Sequence, residues 1–157
     1  ISGLIGQYAH GNEPSHHILY LYTMAGQPWK SADKVREVLK TLYSAETDGL
    51  SGNEDVGQMS AWYILSALGF YQVEPGSDRY WFGSPLFHKA SVKVGTDTEG
   101  RDITFDIIAE NNSENNIYIQ SILLNGKPYG KGYLEHKEIV SGGTLTLKMG
   151  PEPVKWY

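Results

Sequence analysis

The sequence predicts an α+β chain, with helices across residues 1–75 followed by a mostly antiparallel β segment across residues 76–157. Three observations carry this. Val35, Val38, Leu39 and Leu42 fall at i, i+3, i+4 and i+7, the spacing of one helix face. Ile103, Phe105, Ile107 and Ala109 fall at every second position, as do Ile117, Ile119, Ser121 and Leu123, the period of half-buried strands. Between these patterns stand Gly76, Gly83 and Pro85, which interrupt regular structure.

Ile1 to His10 is short and glycine-punctuated and carries no assignable element. Pro14 suits the first position of a helix, where its missing N–H would be unpaired anyway. A helix is therefore expected from about Pro14 to Ala25, with Ile18, Leu21, Tyr22 and Ala25 at helical spacing and Gly26 and Pro28 ending it. Ser31 is a good N-cap and Asp33 complements the helix dipole, so a second helix is expected to about Ala45. Lys34, Glu37 and Lys40 lie on its solvated side. A turn, Asp48 to Gly52, leads into a third helix with apolar residues at 59, 61, 62, 63, 64, 65, 67 and 68. A helix apolar all round is expected to be buried on all sides. Residues from about 79 to 157 are expected to form one sheet of five to seven strands. Asn125-Gly126 marks a two-residue hairpin, Asn111 to Asn116 a polar loop, and Leu145 to Met149 the last strand.

A length of 157 residues suits one ordinary domain or two small pieces. With 40% hydrophobic and 20% charged residues the chain is globular rather than disordered. A net charge of −5 leaves no basic footprint for nucleic acid. No run approaches the ~18 apolar residues of a membrane-spanning segment. The absence of cysteine excludes disulfides and thiolate metal sites. The chain opens Ile1-Ser2-Gly3-Leu4 with neither initiator methionine nor signal peptide, so it is expected to be a piece of a longer polypeptide.

Chemistry concentrates in two polar turns that each precede an apolar helix. The first is His10-Gly11-Asn12-Glu13-Pro14-Ser15-His16-His17, and the second Gly52-Asn53-Glu54-Asp55-Val56-Gly57-Gln58. In a ring of antiparallel helix pairs, turns heading helices of alternate rank lie at the same end. In the second turn, one of Glu54 and Asp55 can serve chemistry while the other holds the loop. A helix N-cap accounts for Asp55 as well, through the N–H of Gly57 or Gln58, and Asn53 and Gln58 can be turn residues. Asn12 and Glu13 offer oxygens to a hard cation such as calcium, or simply start a helix. The runs Asp48 to Asp55 and Asp97 to Asp102 lack the glycine that a helix–loop–helix calcium loop needs at its sixth place. His10, His16 and His17 do not have the spacing of two zinc ligands one turn apart, and Ser15 sits in no Gly-x-Ser-x-Gly elbow. Trp29, Trp62 and Trp81 are either core or sugar platforms, and core is favoured for Trp62.

The two turns, together with Ala25-Gly26-Gln27-Pro28-Trp29-Lys30, Met59-Ser60-Ala61-Trp62-Tyr63, Ser66-Ala67-Leu68-Gly69-Phe70-Tyr71, Gly83-Ser84-Pro85-Leu86-Phe87, Leu124-Asn125-Gly126-Lys127-Pro128-Tyr129 and Gly142-Gly143-Thr144-Leu145, resemble family 92 of the glycoside hydrolases. That family comprises calcium-dependent, inverting exo-α-mannosidases with an N-terminal β-sandwich and a catalytic (α/α)6 barrel. The resemblance implies that residues 1–75 are the closing helices of such a barrel and residues 76–157 its C-terminal β-sheet segment. It implies Asp55 as the catalytic base, Asn12 and Glu13 as calcium ligands, and Glu54, Asn53, His16 and His17 as substrate-binding residues. Some members carry an assisting aspartate where this sequence has Asn53, and no match to the segment bearing the general acid is present. The implied partners are α-mannosides, including N-glycan mannose, and the remainder of the parent polypeptide. The implied location is the bacterial periplasm, cell surface or exterior. The chain alone is expected to be inactive and to self-associate through apolar faces. The competing readings are a non-catalytic structural or carbohydrate-binding module, and an (α/α) barrel glycosidase of other specificity.

Overall fold

The computed structural model describes residues 2–157. It begins with a small antiparallel hairpin, β1 (Leu4–Ile5) and β2 (Tyr8–Ala9). The single helix expected over 14–25 is instead two 3₁₀ turns, Glu13–Ser15 and Ile18–Tyr20, followed by α1 (Leu21–Met24). The reason is local. The Ser15 N–H binds the Asn12 carbonyl at 2.9 Å, and its hydroxyl sits 2.6 Å from both the Asn12 and Ala9 carbonyls, sharing its one proton between them. The His16 N–H then closes on Glu13 O at 3.0 Å, an i→i+3 bond.

Helix α2 (Pro28–Thr41) starts ahead of the expected Ser31 and stops short of Ala45. Pro28, read from the sequence as a helix stop, is the first residue of the next helix. Ser31 lies buried inside α2 and its hydroxyl accepts the Thr23 N–H at 3.0 Å, so it caps nothing in its own helix. Helix α3 (Gln58–Leu68) ends at Gly69, whose φ of 108° suits a residue without Cβ. It is not buried on all sides. Met59, Trp62, Ser66 and Ala67 face inward, while Ile64 is 57% exposed. Helix α3 packs against α2 and β3 (Phe70–Tyr71), and Leu65 and Leu68 reach the sheet core, while Ser60, Ala61 and Ile64 on its outer face are exposed.

The β segment contains β4 (Arg79–Phe82), β5 (Lys89–Thr96), β6 (Asp102–Glu110), β7 (Tyr118–Leu124), β8 (Lys127–Pro128), β9 (Tyr133–Glu135), a short helix α4 (His136–Val140) that the sequence pattern had not disclosed, and β10 (Gly143–Gly150). The Asn125-Gly126 hairpin is present, with φ of 51° and 75° at the two turn residues and Leu124 paired to Lys127. The strands form two sheets rather than one: β5-β6-β10-β7-β8 and β3-β4-β9. Within the larger sheet β10 runs parallel to β6 and antiparallel to β7.

The described residues form two cores. Phe105, Ile107, Leu145, Leu147 and Met149 from the large sheet pack on Phe70, Phe82 and Leu134 from the small one. Tyr8, Leu19, Tyr20, Val35, Val38, Leu39 and Trp62 fill the helical region. The two regions are tied by buried polar links. The Thr23 hydroxyl donates to Phe82 O at 2.8 Å, and the Arg36 guanidinium, half-buried on α2, donates to Ser84, Pro85 O and Asn112.

Candidate active site

The two polar turns meet. They do so backbone to backbone: a Cβ on Gly11 would lie 2.1 Å from Ser51 O, and one on Gly52 would lie 3.1 Å from Gly11 Cα. Only glycine fits at Gly11, because the opposing atom is main chain and cannot swing aside. The signal was in the sequence as a repeat. Gly-Asn-Glu occurs at 11–13 and again at 52–54, and it is the two copies that abut.

This approach brings Glu13 and Asp55 together, carboxyl to carboxyl. The hydrogen bond and negative charge of Glu13 hold Asp55 above its ordinary range. Glu13 is held below its own, first by its own backbone N–H and then by Asp55. Glu13 Oε1 is shut from solvent, and no donor group faces it. Asn12, at the head of the Glu13–Ser15 turn, does not spend its side chain on capping. Among the described residues no three His, Cys, Asp or Glu side chains gather into one cluster.

The turn that carries Asp55 is strained. Asp55 and Val56 have φ of 45° and 59°, and Gly57 follows at 88°. A β-branched residue in the left-handed region is unusual and costs on the order of 1–3 kcal/mol. Val56 is fully exposed, so its side chain gains nothing from the placement. Asp55 does not cap α3. The N-cap is Gly57, and Asp55 contributes only its backbone oxygen, to the Gln58 N–H at 3.2 Å. Its carboxyl is thereby left for Glu13. Glu54 holds the loop instead, accepting from the Ser60 N–H at 2.9 Å and the Ser60 hydroxyl at 2.8 Å.

Behind the carboxyl pair lies a buried hydrogen-bonded chain. Tyr43 donates to Met59 O at 3.0 Å, so at its 2.6 Å contact with His10 Nε2 it accepts. His10 is therefore the Nε2–H tautomer, and its Nδ1 accepts from the Tyr8 hydroxyl at 2.7 Å. Burial, reinforced by neighbouring His16, pushes His10 down to about 3, so it is neutral at pH 7. Burial also lowers His16, whose ring stacks on His10 with centroids 4.6 Å apart. His16 Nε2 donates to His10 O at 2.9 Å, and its carbonyl accepts the Trp62 indole N–H at 3.1 Å. The favoured reading of Trp62 as core holds, since it is fully buried.

Asn53 is exposed at the mouth of the second turn, and His17 is half-buried at the head of the second 3₁₀ turn. Gln58, read from sequence only as a turn residue, links the turns: its side-chain amide lies 3.0 Å from both His16 Nδ1 and Tyr71 Oη.

Residues 1–151 match the glycosyl hydrolase family 92 catalytic domain. An uncharacterized secreted glycosidase of Arthroderma benhamiae is 34% identical over 149 residues, which are 93% of this chain and 19% of that protein. A family 92 alpha-mannosidase of Bacteroides thetaiotaomicron, solved with mannoimidazole, is 40% identical and superposes with a TM-score of 0.89 over 99% of this chain and 20% of that one. An inverting family 92 mannosidase of the same organism is 42% identical, with a TM-score of 0.81, over 97% of this chain and 21% of that one. The chain thus spans about a fifth of the length of these relatives. On motifs, fold and match alike, the chain belongs to glycosyl hydrolase family 92.

Proposed function

We propose that the polypeptide carrying this chain is an inverting, calcium-dependent exo-α-mannosidase, acting on α-mannosides such as N-glycan mannose. In this reading residues 1–75 are closing helices of its (α/α)6 barrel. The convergence of Glu13 and Asp55 at two abutting turns carries the reading. It supplies one carboxyl for chemistry and one for a cation, on the same floor.

Inversion needs a base and an acid about 6.5–9.5 Å apart, with a water between the base and the anomeric carbon. Asp55 takes the proton from that water. The acid approaches from the opposite face of the sugar, so no second residue of the same turn can serve. It lies on another segment of the parent polypeptide. Asn53 leaves Asp55 without the assisting aspartate that some members have.

The residues fit a hard cation. Glu13 Oε1 is buried with no donor before it, a second carboxyl stands beside it, and the Asn12 side chain is free of capping. Calcium held by Asn12 and Glu13, with waters completing its shell, would bind sugar hydroxyls and favour ring distortion. It would also supply the positive charge that the Glu13–Asp55 pair lacks, which favours ionised Asp55. Asn53 and His17 border the floor as substrate contacts. His16 and Glu54 act there through the groups they hold in place.

A secreted relative supports a periplasmic, cell-surface or secreted location, and no helix among the described residues is long and apolar enough to cross a membrane. The exposed Ile64 and the apolar hollow of about 580 Å³ beside it, lined by Tyr43, Ala45, Leu50 and Tyr63, fit a face covered by the rest of the parent. The isolated chain is therefore inactive and self-associates.

The test is Asp55→Asn in the intact polypeptide, assayed for mannose release from an α-linked mannobiose. A loss of about 10²–10⁴-fold with unchanged melting is expected of a base. Activity within a few-fold of wild type sinks the assignment. A strong chelator should also abolish activity, and added calcium should restore it.

A further inference from the structure

We propose that Gln58 is the positioning residue of this site: its side-chain amide clamps the two carboxyl-bearing turns together through one fixed tautomer of His16. The clamp rests on hydrogen-bond geometry alone, and its catalytic consequence rests on the α-mannosidase reading above.

The assignment starts from an atom with no choice. The backbone oxygen of His10 can only accept, so His16 Nε2, 2.9 Å away, carries the ring proton. His16 is fully buried, where a charged imidazolium is costly, and its ring proton is already on Nε2, so Nδ1 keeps its lone pair. The group facing Nδ1 at 3.0 Å must therefore donate, and it is the Gln58 NH₂. The second hydrogen of the same NH₂ goes to Tyr71 Oη, also at 3.0 Å. Both amide hydrogens are spent, and the orientation of the amide is fixed.

The position of Gln58 gives this consequence. It is the first residue of α3, directly after the left-handed run Asp55-Val56-Gly57. Its N–H binds Asp55 O at 3.2 Å. His16 in turn binds Glu13 O through its own N–H at 3.0 Å. Each carboxyl-bearing residue is thus one backbone hydrogen bond from the His16–Gln58 pair. Strained backbone persists only where its surroundings over-determine it. Here the surroundings are this clamp on one side and the Gly11–Gly52 contact on the other.

Two variants separate positioning from packing. Gln58→Glu is nearly isosteric but sets an acceptor against the His16 lone pair. Gln58→Leu removes the hydrogen bonds and preserves bulk. If Gln58 only fills space, Glu is the milder change. The clamp predicts that Glu is at least as damaging as Leu. Both should lose roughly 10–100-fold in kcat, the scale of an ångström-sized misplacement, with KM little changed. Independently, selective ¹⁵N-histidine spectra of the wild-type polypeptide should show His16 protonated at Nε2 and not at Nδ1.

Wild-type-like kcat in Gln58→Glu, or a proton on Nδ1 of wild-type His16, overturns the proposal. If the wild-type polypeptide releases no mannose, the α-mannosidase reading fails, and the spectra still decide the clamp. If both variants fail to fold, the wild-type spectrum decides alone.

Discussion

The helical region and the sheet region are held together by different physics. Between the sheets, the fully buried side chains Phe82, Phe105, Ile107, Ile119, Leu134, Leu145 and Leu147 are all apolar. In the helical region, fully buried His10, His16, Tyr20 and Ser66 sit among Val35, Val38 and Trp62, and their hydroxyls and ring nitrogens are hydrogen-bonded. Tyr20, for example, donates to Ser66 at 2.7 Å. An apolar core tolerates rearrangement provided volume is kept. A hydrogen-bonded core does not, because a stranded partner costs its full desolvation. The rigid, direction-specific core therefore underlies the carboxyl pair, and the adaptable one lies away from it.

The contrast can be broken deliberately. The largest expected effect on stability is in the apolar core: Phe105→Ala should cost about 3–5 kcal/mol in urea unfolding, while Phe105→Leu costs much less. In the polar core, His10→Leu should cost about 1–3 kcal/mol for the stranded Tyr8 hydroxyl alone. Adding Tyr8→Phe should recover part of that loss, since removing both partners is milder than removing one. If the double variant is worse than the single by the full cost of Tyr8→Phe measured alone, the two side chains are not coupled.

Acid should find the helical region first. His10 is depressed from 6.5 to about 3 on folding, so the unfolded chain binds a proton that the folded chain refuses. Its contribution is complete above about pH 6.5 and lost as pH falls toward 3, with a slope of at most about 1.4 kcal/mol per pH unit. His10→Phe should flatten that part of the stability–pH curve. The smallest effect belongs to the surface pair between the regions, Lys40–Glu114, at 3.0 Å with side chains 69% and 84% exposed. Glu114→Gln should change stability by less than about 0.5 kcal/mol, and what effect there is should shrink as salt is added.

What could be read from the sequence followed the same division. Alternation marked β6 and β7 because each residue's face is set by the pleat. The Asn125-Gly126 turn and the i, i+3, i+4 stripe of α2 were likewise local signals. The Asn12-Glu13 and Asp55 turns stood out because charge before an apolar helix is locally visible. Ser31, Gln58 and His10 were harder. Ser31 has N-cap chemistry, yet its partner, the Thr23 N–H, belongs to the preceding helix. His16, the key partner of Gln58, lies 42 residues away, and Tyr43, the partner of His10 Nε2, lies 33 away, and no local pattern encodes such distances. The same holds for the division into two sheets, where β3, β4 and β9 are joined across more than sixty residues of chain.

The placement of β10 has a consequence for how the protein is made. Synthesis proceeds from the N-terminus, and β6 and β7 emerge from the ribosome before the strand that belongs between them. Until residues 143–150 arrive, the facing edges of β6 and β7 carry open backbone donors and acceptors. The nascent chain must keep that gap unfilled by itself or by a neighbour. Loss of β10 by a premature stop would leave a sheet split down its middle, a species made for edge-to-edge aggregation rather than partial function.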